Sequence, residues 1–319
     1  MFDSRLSDNG TMSDARYPRH ASRPRRALSV ALPIGLAVTA LGAMWALADV
    51  PEPVPAVTPP APAAAAQLPG VLVAAAPVAD PCAEDAVSDA LAAGDDEAVV
   101  AAFGGGTAFR DAVVAGNALC ISLIDPTRNW VVVNKSNGLN PTDYVPGGLV
   151  ESPIRQTTTS RMIDQDAASA LGAMAADLEA SGSGLLGMNN AYRSYRLQVS
   201  NYTGLVSAEG QHTADLGSAR PGFSEHQTGL AVDVVACSDG CGEIAAFGGT
   251  PESAWVAAHA WEYGFVVRYE SGATGTTGYE PEPWHLRYIG PALAEAYRAG
   301  GYHTLEEFFG LPAAPDYEH

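Results

Sequence analysis

Two short stretches of the chain carry residue types that could do hydrolytic chemistry together: Ser224-Glu225-His226 followed by Asp233, and Glu282-Pro283-Trp284-His285 about fifty residues on. Two imidazoles and one carboxylate can hold zinc while leaving its fourth position to water, and Glu282, three residues before His285, is placed to take that water's proton. His226, Asp233 and His285 are therefore candidate metal ligands, Glu282 the candidate general base, and zinc the cofactor such a set would take.

The elements that must position these groups are partly readable. An extended run from His226 to Asp233 would set the two side chains ~20 Å apart, so the chain has to fold back between them. Gly229, which has no Cβ, sits where that bend is needed. Asp233 then stands between Leu230-Ala231-Val232 and Val234-Val235, a lone carboxylate in an apolar strand. A buried carboxylate without a partner is costly and a metal removes the penalty; one half of a buried salt bridge is the competing reading. Pro283 disfavours helical geometry at Glu282, which puts Glu282 and His285 on a turn or strand and not on a helix of the His-Glu-x-x-His type.

Further out, Trp130-Val131-Val132-Val133-Asn134-Lys135 reads as a buried strand, followed by turn chemistry at Asn140-Pro141 and Pro146-Gly147-Gly148. Residues 164–180 set Ala168, Leu171, Met174, Ala175 and Leu178 at three- and four-residue steps, the spacing of an amphipathic helix packed on a sheet, with Met174 in its core face. Leu185-Leu186-Gly187-Met188 reads as a strand that delivers Asn190-Ala191-Tyr192-Arg193-Ser194-Tyr195-Arg196. Aromatic and guanidinium groups alternating at a strand end suit the gripping of an anion in a cleft, although taken alone they read better as a solvated edge.

Four ordered blocks carry a resemblance. Tyr192-Arg193-Ser194-Tyr195 with Gln198, Ala219-Arg220-Pro221-Gly222-Phe223-Ser224-Glu225-His226 through Asp233, Tyr263-Gly264-Phe265-Val266-Val267-Arg268-Tyr269, and Glu282 through Tyr288 are similar to a VanY-type zinc D-alanyl-D-alanine carboxypeptidase. Val133-Asn134-Lys135 and Asp143-Tyr144-Val145-Pro146 resemble that family's amino-terminal strand and turn, and the similarity covers about residues 128–309. It implies an α+β fold in which a small antiparallel sheet carries the zinc site and helices pack around it. It implies His285 as the third ligand and Glu282 as the base that takes a proton from the activated water and hands it to the departing amine. Arg193 matches the arginine that supplies positive charge to the oxyanion; Ser224, Gln198 and Arg220 match binders of the substrate's terminal D-alanine and its carboxylate. The family's usual Ser-Gly before Tyr-Arg is Asn190-Ala191 here, a departure at the substrate end and not at the metal.

The reaction the resemblance implies is removal of a terminal D-alanine from a peptidoglycan stem peptide. Dipeptidases and endopeptidases share such a site. A catalytically idle, zinc-bearing wall-binding module is the alternative from another class, since the scaffold also resembles the Hedgehog signalling domain. The presence of both Arg193 and Glu282 argues against idleness.

The rest of the chain bears on where such a site works. Residues 1–26 form a polar tail with Arg5, Arg16, Arg19, Arg23, Arg25 and Arg26, and Ala27 to Ala48 come next without a charge, long enough to cross a bilayer. A basic flank before an apolar run keeps the amino terminus inside and exports the remainder of the chain. Ala46-Leu47-Ala48 also offers a signal-peptidase site, so the expectation is a membrane anchor with an extracellular catalytic part, or a secreted protein if cleavage occurs before Asp49. Residues 49–80 are rich in proline and alanine and read as a semi-rigid spacer of roughly 3 Å per residue. Residues 81–127 read as a small segment of two short helices closed by a disulfide, and 128–319 as the catalytic domain.

Four cysteines beyond an export signal favour two disulfides: Cys237 and Cys241 flank the turn-forming Ser238-Asp239-Gly240, which leaves Cys82 for Cys120. Beyond residue 48 the chain holds 11 basic against 33 acidic residues, a net of −22 that makes nucleic acid an implausible partner and suits a soluble exported surface. His259 reads as a packing or capping residue of a helix over 255–263, His212 and His303 as surface residues, and His20 and His319 as tail residues. Trp284 either walls a pocket or packs in the core.

Overall fold

Short apolar runs preceded by glycine or proline become the main strands of the molecule. The computed structural model describes residues 80–317. The basic tail, the apolar segment 27–48 and all but the last residue of the 49–80 spacer lie outside the described residues, as do His20 and His319. Among the described residues no helix is long and apolar enough to cross a membrane.

The strands are β1 (Val150–Glu151), β2 (Arg155–Gln156), β3 (Met162–Ile163), β4 (Leu186–Asn190), β5 (Ala231–Ala236), β6 (Phe265–Tyr269) and β7 (Glu282–Tyr288). β1 and β3 pair with each other, and the rest form a five-stranded sheet in the order β2-β4-β5-β7-β6. Its pairs are antiparallel except at one edge, where the two-residue β2 runs parallel to β4, so the sheet is mixed and not wholly antiparallel as expected. The register places Asp233 opposite His285 across β5 and β7, and Asn190 opposite Asp233 across β4 and β5. Three central strands thus set three polar side chains in one row.

Alternation of side chains along each strand separates that row from the core. Val232 and Val234 of β5, Leu286 of β7 and Phe265 of β6 turn to one face, where they join Leu171, Met174 and Leu178 in the main apolar cluster. Each such side chain, fully buried, contributes roughly 1.5–3 kcal/mol. Asp233, His285 and Arg287 fall between them in sequence and face the other way.

The helices are α1 (Asp85–Ala93), α2 (Asp96–Ala102), α3 (Gly106–Val114), α4 (Gln165–Ala180), α5 (Tyr195–Glu209), α6 (Gln211–Gly217), α7 (Pro251–His259), α8 (Thr274–Thr277), α9 (Pro291–Ala299) and α10 (Leu305–Phe308). In α4 the expected stripe is buried except at Ala175, which is half-buried against the same cluster, and Asp164 caps the start by accepting hydrogen bonds from the amides of Asp166 and Ala167.

Two further expectations change. Residues 85–114 form three helices and not two, because Gly94, at φ +72°, ends α1 while Asp95 accepts from the Ala98 amide and starts α2. They pack with Trp130, Val132, Val266 and the apolar faces of α9 and α10 into a second apolar cluster. Trp130 to Lys135 is buried as expected, yet it pairs with no strand among the described residues. Side chains and turns meet its backbone instead: Arg287 donates to the carbonyls of Asn129 and Val131, and the Val132 amide donates to Leu123.

Both disulfides form as the cysteine spacing suggested, Cys82 with Cys120 and Cys237 with Cys241. The first spans 38 residues, a closure that raises stability by about 4 kcal/mol in chain-entropy terms. His259 stacks on Trp255 and contacts Glu262, and His212 and His303 are exposed.

Candidate active site

The site is assembled by a turn, two strands and a loop. His226 lies on a 3-10 turn, Glu225–Thr228, that ends at Gly229 with φ +80°. That left-handed conformation makes the reversal into β5 and favours glycine, and a side chain there would also press on the tip of Leu149. The reversal brings His226 Nε2 to 3.2 Å from Asp233 Oδ2. From the neighbouring strand β7, His285 Nδ1 stands 3.1 Å from Asp233 Oδ1. The two imidazole rings meet edge to face with centroids 4.9 Å apart.

One ligand atom from each of His226, Asp233 and His285 lies within 4.8 Å of the others, and all three residues are buried. Two imidazoles and a carboxylate converging in this way fit a divalent cation of zinc's ligand preference. The outward nitrogens are already engaged: His226 Nδ1 lies 2.9 Å from the Ala191 carbonyl, and His285 Nε2 lies 3.2 Å from Glu225 Oε2. Asn190 Nδ2 donates to Asp233 Oδ2 at 3.2 Å, so the residue that departs from the expected Ser-Gly steadies the central carboxylate.

Burial raises the Asp233 carboxyl, but His226 and His285 more than offset it and hold the group well below the usual carboxylate range. Burial likewise works against a charged His285, and its contacts with Asp233 and Glu225 outweigh it, lifting the ring to about 9. Glu282 behaves in the opposite way. Its Oε2 is 3.7 Å from His285 Nδ1, and burial, opposed by His285 and Arg193, pushes its carboxyl up to about 7. A carboxyl held near neutrality beside a cation site is suited to taking and returning a proton.

Arg193 sits in the loop between β4 and α5, its amide donating to the His226 carbonyl at 3.1 Å. Ser194, next to it, caps α5 through the Leu197 amide. The Arg193 guanidinium lines the same cleft, and its buried Nε has no partner among the described residues. Burial lowers its pKa, while Asp233 and Glu282 pull it back up.

The cleft has a volume of about 230 Å³ and takes in Arg193, Ser224, His226, Asp233, Glu282 and His285, with Trp284, Tyr269 and Tyr279 among its walls. Gln198 lies one layer behind. Fully buried, it donates through Nε2 to Ala219 O and Ser218 Oγ, two residues that do line the cleft. Arg220 is placed differently from the expectation. Its guanidinium makes a two-point contact with Asp215, at 3.1 and 2.9 Å, and stacks on Tyr317, so it buttresses the cleft wall without lining it.

Several residues behind the site carry no signal that names their role in advance. Glu225 accepts from Arg268 Nε at 2.9 Å and Arg287 Nη1 at 3.0 Å, and Arg268 forks onto Glu306. All four are buried, and Glu225 stays well below the usual carboxylate range because the two arginines overcome its burial. The one available signal is the one that marked Asp233: Arg268 and Arg287 each interrupt an apolar strand.

Comparison with known proteins covers the part of the chain that holds this site. Residues 160–291 match the family described as VanY, D-alanyl-D-alanine carboxypeptidase. The chain is 38% identical over 189 residues to the putative carboxypeptidase YodJ of Bacillus subtilis (strain 168), covering 58% of this chain and 68% of that protein. It is 30% identical over 186 residues to a D-alanyl-D-alanine carboxypeptidase of Enterococcus faecium, covering 58% of this chain and 54% of that one. Among solved structures it resembles the LdcB LD-carboxypeptidase, a structure described as revealing the molecular basis of peptidoglycan recognition. There the identity is 38% and the TM-score 0.54, over 58% of this chain and 87% of that chain.

Proposed function

Because the chain belongs to the VanY family of D-alanyl-D-alanine carboxypeptidases, we propose that it is a zinc-dependent carboxypeptidase that removes the terminal D-alanine from peptidoglycan stem peptides. The observation that carries this reading is the convergence of His226, Asp233 and His285 in a cleft that Glu282 and Arg193 also line. Ligands alone would suit a structural site. A base and a cation facing the same space are what hydrolysis requires.

A zinc ion held by the three ligands supplies Lewis-acid polarisation of the scissile carbonyl and acidifies a water nearby. Glu282 accepts the proton of the attacking water on its carboxylate and returns it to the nitrogen of the departing D-alanine, so that the C–N bond breaks to give an amine and not an amide anion. Arg193, already desolvated, directs its positive charge at the oxygen on which negative charge develops, so little reorganisation is needed when the charge appears. Ser224 faces the cleft and can hydrogen-bond the substrate, while Gln198 holds the Ser218-Ala219 wall against which the terminal residue packs.

A second reading differs only in the bond cut. Similarity to LdcB, an LD-carboxypeptidase, favours a tetrapeptide whose terminal D-alanine is joined to an L-configured centre. One assay separates the alternatives: the purified full-length chain with zinc, offered a stem pentapeptide, a tetrapeptide and free D-Ala-D-Ala, with products read by mass spectrometry. The pentapeptide is expected to lose one alanine and stop, and a chelator to abolish the loss. Shortening of the tetrapeptide alone establishes the second reading. Cleavage of the free dipeptide alone, an internal cut, or no zinc-dependent cut contradicts the proposal.

A further inference from the structure

The outward nitrogen of His285 faces a carboxylate that the fold holds at several points. Glu225 Oε1 accepts from Arg268 Nε at 2.9 Å and from Arg287 Nη1 at 3.0 Å, which leaves Oε2 for His285 Nε2 at 3.2 Å. Neither arginine is free to move. Arg268 is forked onto Glu306 at 3.0 and 2.8 Å, and Arg287 donates from Nη2 to the carbonyls of Asn129 and Val131 at 3.0 and 2.7 Å. Glu306 is in turn held by Asn134 at 2.9 Å.

An ionised carboxylate only accepts hydrogen bonds. Both ring nitrogens of His285 face carboxylates, Nε2 toward Glu225 and Nδ1 toward Asp233; when a cation takes the lone pair of Nδ1, the ring keeps one N–H, on Nε2, and it donates to Glu225. We infer that Glu225 is the positioning residue that fixes the tautomer and ring orientation of His285, and that Arg268, Arg287 and Glu306 form a buried clamp that keeps it in place. At His226 the Ala191 carbonyl does the same from the other side of the ring, at Nδ1. The two histidines therefore present different nitrogens to the metal, Nε2 from His226 and Nδ1 from His285. The inference rests on the zinc reading and concerns how the site is built, not which bond it cuts.

The test compares two variants of the full-length chain that each remove one carboxylate from the same buried cluster, Glu225→Gln and Glu306→Gln. Both are expected to be less stable in denaturant, since each leaves arginine charge uncompensated. Zinc affinity, measured by competition with a chromophoric chelator, is expected to fall about 10- to 100-fold in Glu225→Gln and less than about threefold in Glu306→Gln. Unchanged affinity in Glu225→Gln, or equal losses in both, overturns the inference. Should Glu225→Gln not fold, the zinc-loaded wild type answers directly. Long-range proton–nitrogen spectra of histidine-labelled protein are expected to show one ligand bound through Nε2 and one through Nδ1. Two Nε2 ligands overturn the inference while leaving the zinc reading intact; a wild type that takes up no zinc removes the zinc reading itself.

Discussion

Glu282→Ala is expected to retain a full complement of zinc and to lose about 10³- to 10⁴-fold in kcat/KM on a D-Ala-D-Ala-terminated pentapeptide. At 1.36 kcal/mol per factor of ten, that is about 4–5 kcal/mol of barrier. Zinc is retained because Glu282 is outside the ligand set: it stands 3.7 Å from His285 Nδ1, and that nitrogen and both Asp233 oxygens have closer partners in one another and in His226. Activity is lost because no other carboxylate in the cleft is free to take a proton. Asp233 is between the two histidines, and Glu225 is held ionised by Arg268 and Arg287 with His285 on its second oxygen. Metal analysis alongside steady-state kinetics checks both halves, and a variant as active as wild type would remove Glu282 from the mechanism.

His226→Ala and Asp233→Asn are expected to lose metal and activity together. Asp233→Asn is the more informative because it conserves volume and can keep its place opposite Asn190 and His285 in the sheet. Its zinc affinity should fall by more than about 100-fold, beyond the cost of losing an outer hydrogen-bond partner. Only zinc raised far above the wild-type requirement should restore hydrolysis. Full occupancy at stoichiometric zinc in either variant would break the ligand assignment.

The residues that announce the site are those whose chemistry conflicts with their surroundings. Asp233 in an apolar strand, Gly229 at the reversal, Pro283 beside Glu282 and the buried stripe of α4 are all local signals, and the structure places each where that conflict or spacing suggests. The Gly94-Asp95 break between α1 and α2 is equally local, a helix stop with a cap directly after it, but the two-helix reading of this segment passes over it.

The part that is not legible is non-local. Trp130 to Lys135 has the composition of a strand, but its neighbourhood is fixed by Arg287, whose guanidinium reaches Val131 O from 156 residues away. Arg220 matches a substrate binder in sequence, yet Asp215 takes up its guanidinium first. Glu225 stands beside a ligand in the chain but serves the other histidine, 60 residues on, a relation created only by the β5–β7 register and the turn before β5.

The most direct measurement of the central claim is an anomalous-difference map at the zinc edge from crystals of the zinc-loaded chain. A single strong peak in the cleft is expected, about 2.0–2.2 Å from His226 Nε2, an Asp233 carboxylate oxygen and His285 Nδ1, with one side open toward Glu282. A peak elsewhere, or none in the cleft of a protein that still cleaves stem peptides, would contradict it.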